Sequence, residues 1–167
     1  GIPIMWRTGH SLIKEKMKET GALLAGEMSG HIFFSDRYFG YDDAIYASIR
    51  LLEILSKNKN SFKYLSVFKN IFSTPEIIVD CDDSLKFKVI KESTRIIKQK
   101  YKNVSLIDGI RVNTNDGWWL LRASNTQPAL IVRCEAQSKY KVEIFLNEIA
   151  NILKKYDVNI NYKNLLK

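Results

Sequence analysis

The chain has 167 residues, 46% of them hydrophobic, and a net charge of +8 from 26 basic and 18 acidic side chains. That composition excludes global disorder and allows one domain or two small ones. No apolar run approaches the roughly 20 residues that cross a bilayer, and no charged start leads into an apolar signal segment, so a cytoplasmic protein with no membrane partner is expected.

The positive charge favours anionic partners, either nucleic acid or phosphorylated metabolites. The lysines are dispersed and form no basic block, which suits a solvated surface equally well. Cys81 and Cys134 have no metal-ligand spacing and sit in apolar runs, so two buried, reduced thiols are expected. The chain opens Gly1-Ile-Pro-Ile-Met-Trp6, with no initiator methionine and no polar lead-in, as a piece of a longer polypeptide would.

In chain order, residues 3–6 read as a short strand. Residues 11–20 read as a helix with Leu12, Ile13 and Met17 on its apolar side, stopped by Gly21. Residues 22–25 read as a second strand. A strand, a helix and a strand within 25 residues predict a parallel β-α-β unit. Residues 26–31 form a loop and residues 32–34 a third strand. A helix follows to about residue 56, with Ile45, Ile49, Leu52 and Leu55 on one face. Asp42 and Asp43 suit the positive start of that helix, and a structural role is the reading for both. A further short helix is expected over residues 61–68.

Ser73-Thr-Pro75 forces extended backbone and marks a boundary, with one domain over residues 1–70 and another over 71–167. Beyond it come a strand at 76–80, a helix at 84–101 and a strand at 108–112. Asn115-Asp-Gly117 makes a hairpin turn. Strands at 118–121 and 129–135 and a helix at 140–156 complete the pattern, and residues 159–167 read as a loose polar tail. The expected architecture is a partial parallel-sheet α/β domain followed by an α+β domain, a four-stranded antiparallel sheet with two helices.

Two loops carry candidate chemistry. Arg122-Ala-Ser-Asn-Thr-Gln-Pro128 places a guanidinium, the side chains of Ser124, Asn125 and Thr126 and several backbone N–H groups between two strands. That is a donor set for phosphate, or an ordinary polar turn satisfying its own backbone. Arg133, in an apolar strand, either snorkels from the sheet or reaches toward this loop. In the other loop, Glu27 can accept from a sugar hydroxyl and Ser29 can donate to one, while His31 or His10 can handle a proton near neutral pH. Against this stands plain loop chemistry, with Glu27 paired to a lysine and His31 packed, while His10 either caps the helix or binds an anion at its N-terminus.

Thr8-Gly-His-Ser-Leu-Ile-Lys14, Gly26-Glu-Met-Ser-Gly-His31 and Arg122-Ala-Ser-Asn-Thr-Gln-Pro128 together resemble three motifs of the α-D-phosphohexomutase family, in the family's order. The phosphomannomutase/phosphoglucomutase type is the most similar branch. The resemblance implies four domains around one cleft, of which this chain matches part of the third and all of the fourth. It implies interconversion of hexose 1-phosphates and hexose 6-phosphates through a bisphosphorylated sugar. Glu27 and Ser29 match the family's sugar-hydroxyl contacts. Arg122, Ser124, Asn125 and Thr126 match its phosphate-binding loop, and His10 and His31 match cleft histidines. Met28, where phosphoglucosamine mutases usually have Gln, favours mannose or glucose phosphates as substrate.

The resemblance also implies Mg2+ in the full-length enzyme, an activator of the glucose 1,6-bisphosphate type, and the remaining N-terminal domains of the same protein as partners. The family's phosphoserine loop and its alternating Asp/Gly metal loop have no counterpart in these 167 residues, so no metal ligand is assigned and the chain alone is expected to be inactive. Two other classes compete. A basic nucleic-acid-binding module would need basic and aromatic residues interleaved on one exposed sheet face, but the strands at 118–121 and 129–132 are mainly apolar, so no nucleic-acid partner is expected. A split-gene remnant would have only a structural role. Residues 1–70 are expected to leave an apolar helix face uncovered and so to be either covered by a second copy of the chain or poorly ordered, while 73–156 are expected to fold independently.

Overall fold

The computed structural model describes residues 1–57, 63 and 71–162. Two compact units divide the chain, Gly1–Lys69 and Asn70–Lys167.

In the first unit, α1 (His10–Thr20) buries Ile13 and Met17, one helical turn apart. It closes at Gly21, whose left-handed backbone lets its N–H return to the Met17 carbonyl. β1 (Leu24–Gly26) and β2 (Ile32–Phe34) pair antiparallel, with Ala25 opposite Phe33. The parallel unit expected of residues 3–25 does not form. Residues 3–6 make no strand, and the partner of β1 is β2. The antiparallel pairing of β1 with β2 follows from residues 27–31, a connection of hairpin length.

α2 (Ala44–Lys57) follows. Its stripe of Ile45, Ile49 and Leu52 is more than half exposed at each of the three positions, an open apolar face of the kind expected of residues 1–70. Among the described residues the unit's buried core is Ile13, Met17 and Phe33, with Ala22 and Ala25 against it. Ion pairs add to it. Asp36 accepts from Arg50 at 2.7 Å and Glu53 from Arg37 at 2.6 Å, so the turn after β2 is tied to α2. Arg37 and then Lys57 hold the Glu53 carboxyl down at about 2. The helix expected over 61–68 lies, apart from residue 63, outside the described residues.

The second unit runs β3 (Phe72–Ser73), β4 (Ile77–Asp80), α3 (Asp83–Lys100), β5 (Val104–Ser105), β6 (Ile110–Thr114), β7 (Gly117–Ala123), β8 (Ala129–Ala136) and α4 (Lys139–Leu153), ending in a 3-10 turn, Lys154–Tyr156. The sheet is antiparallel throughout, in the order β3-β8-β7-β6-β5, with β4 also on β8. The four expected strands are its long members, and the two-residue strands β3 and β5 extend it to six. Thr74, 2% exposed, fastens the gap between β3 and β4: its N–H donates to the Cys134 carbonyl and its Oγ1 accepts from the Cys134 N–H.

One face of this sheet carries the core. Ile110, Val112, Trp119, Leu121, Leu130, Val132 and Cys134 meet Val89 and Ile97 of α3 and Leu146, Ile149 and Leu153 of α4. The tail departs from expectation as far as it is described. Val158 is buried, Ile160 and Tyr162 pack against the core, and the Tyr162 hydroxyl donates to Asn147 at 2.6 Å. The alternating apolar residues at 158, 160 and 162 give even this polar stretch one face to bury.

Both cysteines are free and buried. Burial pushes the Cys134 thiol up to about 12. A thiol whose folded value lies above its unfolded one favours folding below the unfolded value, and that advantage disappears as pH rises through the folded one. Stability is therefore expected to fall above about pH 9, and neither thiol should react with a mercaptan-specific reagent before unfolding. Stoichiometric labelling of Cys134 in the native chain would contradict this burial.

Candidate functional site

The first unit gathers His10, Glu27, His31 and Asp42. His10 opens α1, Glu27 and His31 bracket the turn between β1 and β2, and Asp42 lies just before α2. The Gly9 N–H, at the N-cap of α1, donates to Glu27 Oε1 at 2.9 Å. Glu27 Oε2 then lies 3.8 Å from His10 Nε2, with the Glu27 side chain only 8% exposed. The turn is closed by Glu27 N–H to the His31 carbonyl and Gly30 N–H to the Glu27 carbonyl. His31 Nδ1–H donates to Asp42 Oδ2 at 2.7 Å, and the other oxygen of Asp42 accepts from the Ile32 N–H. The two imidazoles meet edge to face at 4.3 Å, and His10 also stands on the ring of Phe33, which is fully buried. Met28 and Ser29 project from the tip of the turn, exposed.

The acidic pair read as a helix-start feature divides its labour. Asp43 takes the structural role, accepting from the Tyr46 N–H and the Tyr38 hydroxyl. Those bonds, the hydroxyl's first, hold its carboxyl below the usual range. Asp42 instead belongs to the histidine cluster, which sequence reading missed because the contact joins residues 11 apart. With Nδ1–H fixed by Asp42, neutral His31 presents Nε2 as its proton acceptor. Asp42→Ala is expected to release that tautomer, and the ring 15N shifts of His31 should report it. Unchanged shifts would refute Asp42 as the orienting group.

The second unit holds the loop between β7 and β8. Arg122 is half-buried at the end of β7, while Asn125 and Thr126 are exposed at the tip. Ser124 is 5% exposed. Its Oγ accepts from the N–H groups of Gln127 and, at 3.4 Å, Thr126, so it organises the loop from within while its own proton can still be donated. Behind the loop sits a residue the sequence reading overlooked. Lys86 of α3, 5% exposed, donates through Nζ to the carbonyls of Ser124 at 2.8 Å and Gln127 at 2.9 Å, and pairs with Asp83 at 2.6 Å. The available signal was its spacing: Lys86, Val89, Ser93 and Ile97 form the buried row of α3.

Arg133 lies opposite Leu120, which in turn lies opposite Arg111, and Arg122 lies opposite Ile131 one step along. Paired residues share a face, so Arg111, Arg122 and Arg133 all stand on the sheet face away from α3 and α4. Arg111 stacks 3.9 Å from the Trp118 ring, and desolvation lowers its pKa against the opposing pull of Glu135. Arg133 has a buried Nε with no hydrogen-bond partner among the described residues.

A model of the phosphoglucomutase/phosphomannomutase α/β/α domain III matches residues 1–70, and a model of the C-terminal domain of the same enzymes matches residues 76–152. The chain belongs to the phosphoglucomutase/phosphomannomutase family. Within this family it is 48% identical over 161 residues to a phosphomannomutase/phosphoglucomutase of Pseudomonas aeruginosa, covering 96% of the chain and 35% of the relative. To a phosphoglucomutase of Neisseria gonorrhoeae it is 44% identical, covering 92% of the chain and 34% of the relative. A crystal structure of a phosphoglucomutase/phosphomannomutase family protein from Burkholderia thailandensis superposes with a TM-score of 0.78 at 40% identity, over 95% of this chain and 34% of that one. The chain thus spans about a third of the length of its family relatives. No helix among the described residues is long and apolar enough to cross a membrane.

Proposed function

We propose that this chain is the sugar- and phosphate-gripping part of a cytoplasmic phosphohexomutase, which interconverts hexose 1-phosphate and hexose 6-phosphate through a bisphosphorylated sugar. The observation that carries the proposal is the Arg122 loop, pinned from behind by a buried lysine and presenting a guanidinium, an amide and a hydroxyl at its open side. Arg122 supplies a planar fork for the phosphate that is not being transferred, and Asn125 and Thr126 add short donors. Ser124 donates its hydroxyl proton from the loop's inner side, and Arg133, whose buried Nε has no partner among the described residues, adds positive potential.

Glu27, with one oxygen held by the Gly9 N–H, accepts from a sugar hydroxyl through the other, and Ser29 contacts a neighbouring hydroxyl. Glucose and mannose share the hydroxyls that two such short contacts can grip, and Met28 at the tip favours these sugars over glucosamine. His31, its tautomer set by Asp42, accepts a proton from the reacting hydroxyl at Nε2, and His10 supports it or meets the phosphate.

Mg2+, the nucleophilic serine and a glucose 1,6-bisphosphate-type activator belong to the whole enzyme with its remaining domains. The residues described here do not fit Mg2+. The grouping of ligand atoms among them is His10, Glu27 and His31, and two imidazoles do not suit a hard cation that demands oxygen.

Two measurements test the proposal. A coupled mutase assay on the purified 167-residue chain should show no turnover. Backbone NMR with glucose 6-phosphate should shift resonances of residues 27–31 and 122–128. Turnover by the chain alone would refute its predicted inactivity, and shifts confined to other residues would refute the assigned loops.

A further inference from the structure

The His10–Glu27–His31 cluster has a donor set that the proposed sugar chemistry does not exhaust. One ligand atom from each of the three residues lies within 4.8 Å of the others. Glu27 Oε2 and His10 Nε2 are 3.8 Å apart, and Asp42 Oδ2 lies 2.7 Å from His31 Nδ1 and 3.8 Å from His10 Nε2. Tetrahedral zinc with bonds of roughly 2.0–2.1 Å holds its ligands about 3.3 Å apart. The observed separations are near that spacing, though wider than it.

From this geometry we infer that the cluster binds a divalent transition metal of the zinc type, through His10, Glu27 and His31. Two imidazoles with a carboxylate match the softness of zinc, cobalt or nickel and not that of magnesium or calcium. The cluster is also preorganised. Glu27 is anchored by the Gly9 N–H, His31 is held by Asp42, and His10 rests on Phe33. Asp42 adds negative charge beside both rings, in the manner of the outer carboxylates that orient metal-bound histidines.

Composition sharpens the inference. These are the chain's only two histidines, and both cysteines are buried. A zinc ion therefore has no second imidazole or accessible thiol site to choose. A metal held here occupies the Glu27 carboxylate, so zinc and phosphosugar should exclude one another; this consequence alone rests on the sugar-contact reading above.

Calorimetric titration of tag-free chain with zinc chloride should show one site, and titration with cobalt should produce the intense visible bands of a tetrahedral centre. His10→Gln and His31→Gln, each first checked for an unchanged thermal transition, should weaken zinc binding at least tenfold and abolish the cobalt bands. Absence of zinc binding, or affinity unchanged in both variants, would overturn the site. Zinc binding that persists undiminished under saturating glucose 6-phosphate would leave the metal site standing and refute the role of Glu27 as a sugar contact.

Discussion

Replacing Lys86 with methionine is expected to destabilise the second unit by about 2–4 kcal/mol and to loosen the Arg122 loop. Methionine keeps the apolar stem but removes the ammonium, and it leaves the carbonyls of Ser124 and Gln127 without their donor in a site that is 5% exposed. Hydrogen bonds from a charged donor contribute about 1.5–3 kcal/mol, and an abandoned buried acceptor costs a further 1–3. For a unit of this size the melting temperature should fall by on the order of 10 °C. The Asp83 carboxylate, 69% exposed, loses its partner at little cost because water replaces it. Amide exchange separates a pin from a bystander. The N–H of Gln127, held by Ser124 Oγ, and that of Ala129, held by the Gln127 carbonyl, should exchange faster in the variant. An unchanged melting temperature with unchanged exchange would sink the idea that Lys86 holds the loop.

The second large effect lies on the other side of Arg122. Gly109 precedes β6 with φ of +79°, and a Cβ built there would fall 2.4 Å from Arg122 Cβ, 2.5 Å from the Leu121 carbonyl oxygen and 2.7 Å from Arg122 Cα. None of these atoms is the far end of a flexible side chain, so β6 and β7 would have to separate where the loop begins. Gly109→Ala should therefore cost about 3 kcal/mol, combining the left-handed backbone penalty with overpacking. It should also displace the guanidinium, weakening phosphate binding along with stability. Denaturant unfolding and a phosphate titration on the same sample check both effects. A variant as stable as the parent would show that the two strands do not meet as closely as described.

The elements legible in the sequence are those whose signals are local. The Asp116-Gly117 turn, the boundaries of α3 and the polar loop at 122–128 follow from residues adjacent in the chain. Pairing partners are not local. Residues 3–6 have the composition of a strand, but composition cannot say which strand lies beside them, and β1 turned back into a hairpin with β2. The same limit hid Asp42, which reaches His31 across 11 residues, and Lys86, which reaches Ser124 across 38. Lys86 also misleads by type, since a lysine on a helix is normally placed in solvent. The exposed face of α2 was legible as apolar from its spacing, and as open from how little chain residues 1–70 offer to cover it. The loops at 26–31 and 122–128 were readable as polar connections because each is one short segment between strands.

On the function proposed above, this chain grips a hexose phosphate, with Arg122 on the phosphate. Calorimetric titration of the purified chain, with glucose 6-phosphate and separately with a single-stranded oligonucleotide, tests it most directly. Saturable binding of the phosphosugar at one site is expected, weakened about 10- to 100-fold by Arg122→Ala, the loss of a charge-assisted contact of roughly 1.5–3 kcal/mol. No binding of the phosphosugar, together with an affinity for the oligonucleotide that falls steeply with salt, would contradict the claim and assign the arginine face of the sheet to nucleic acid.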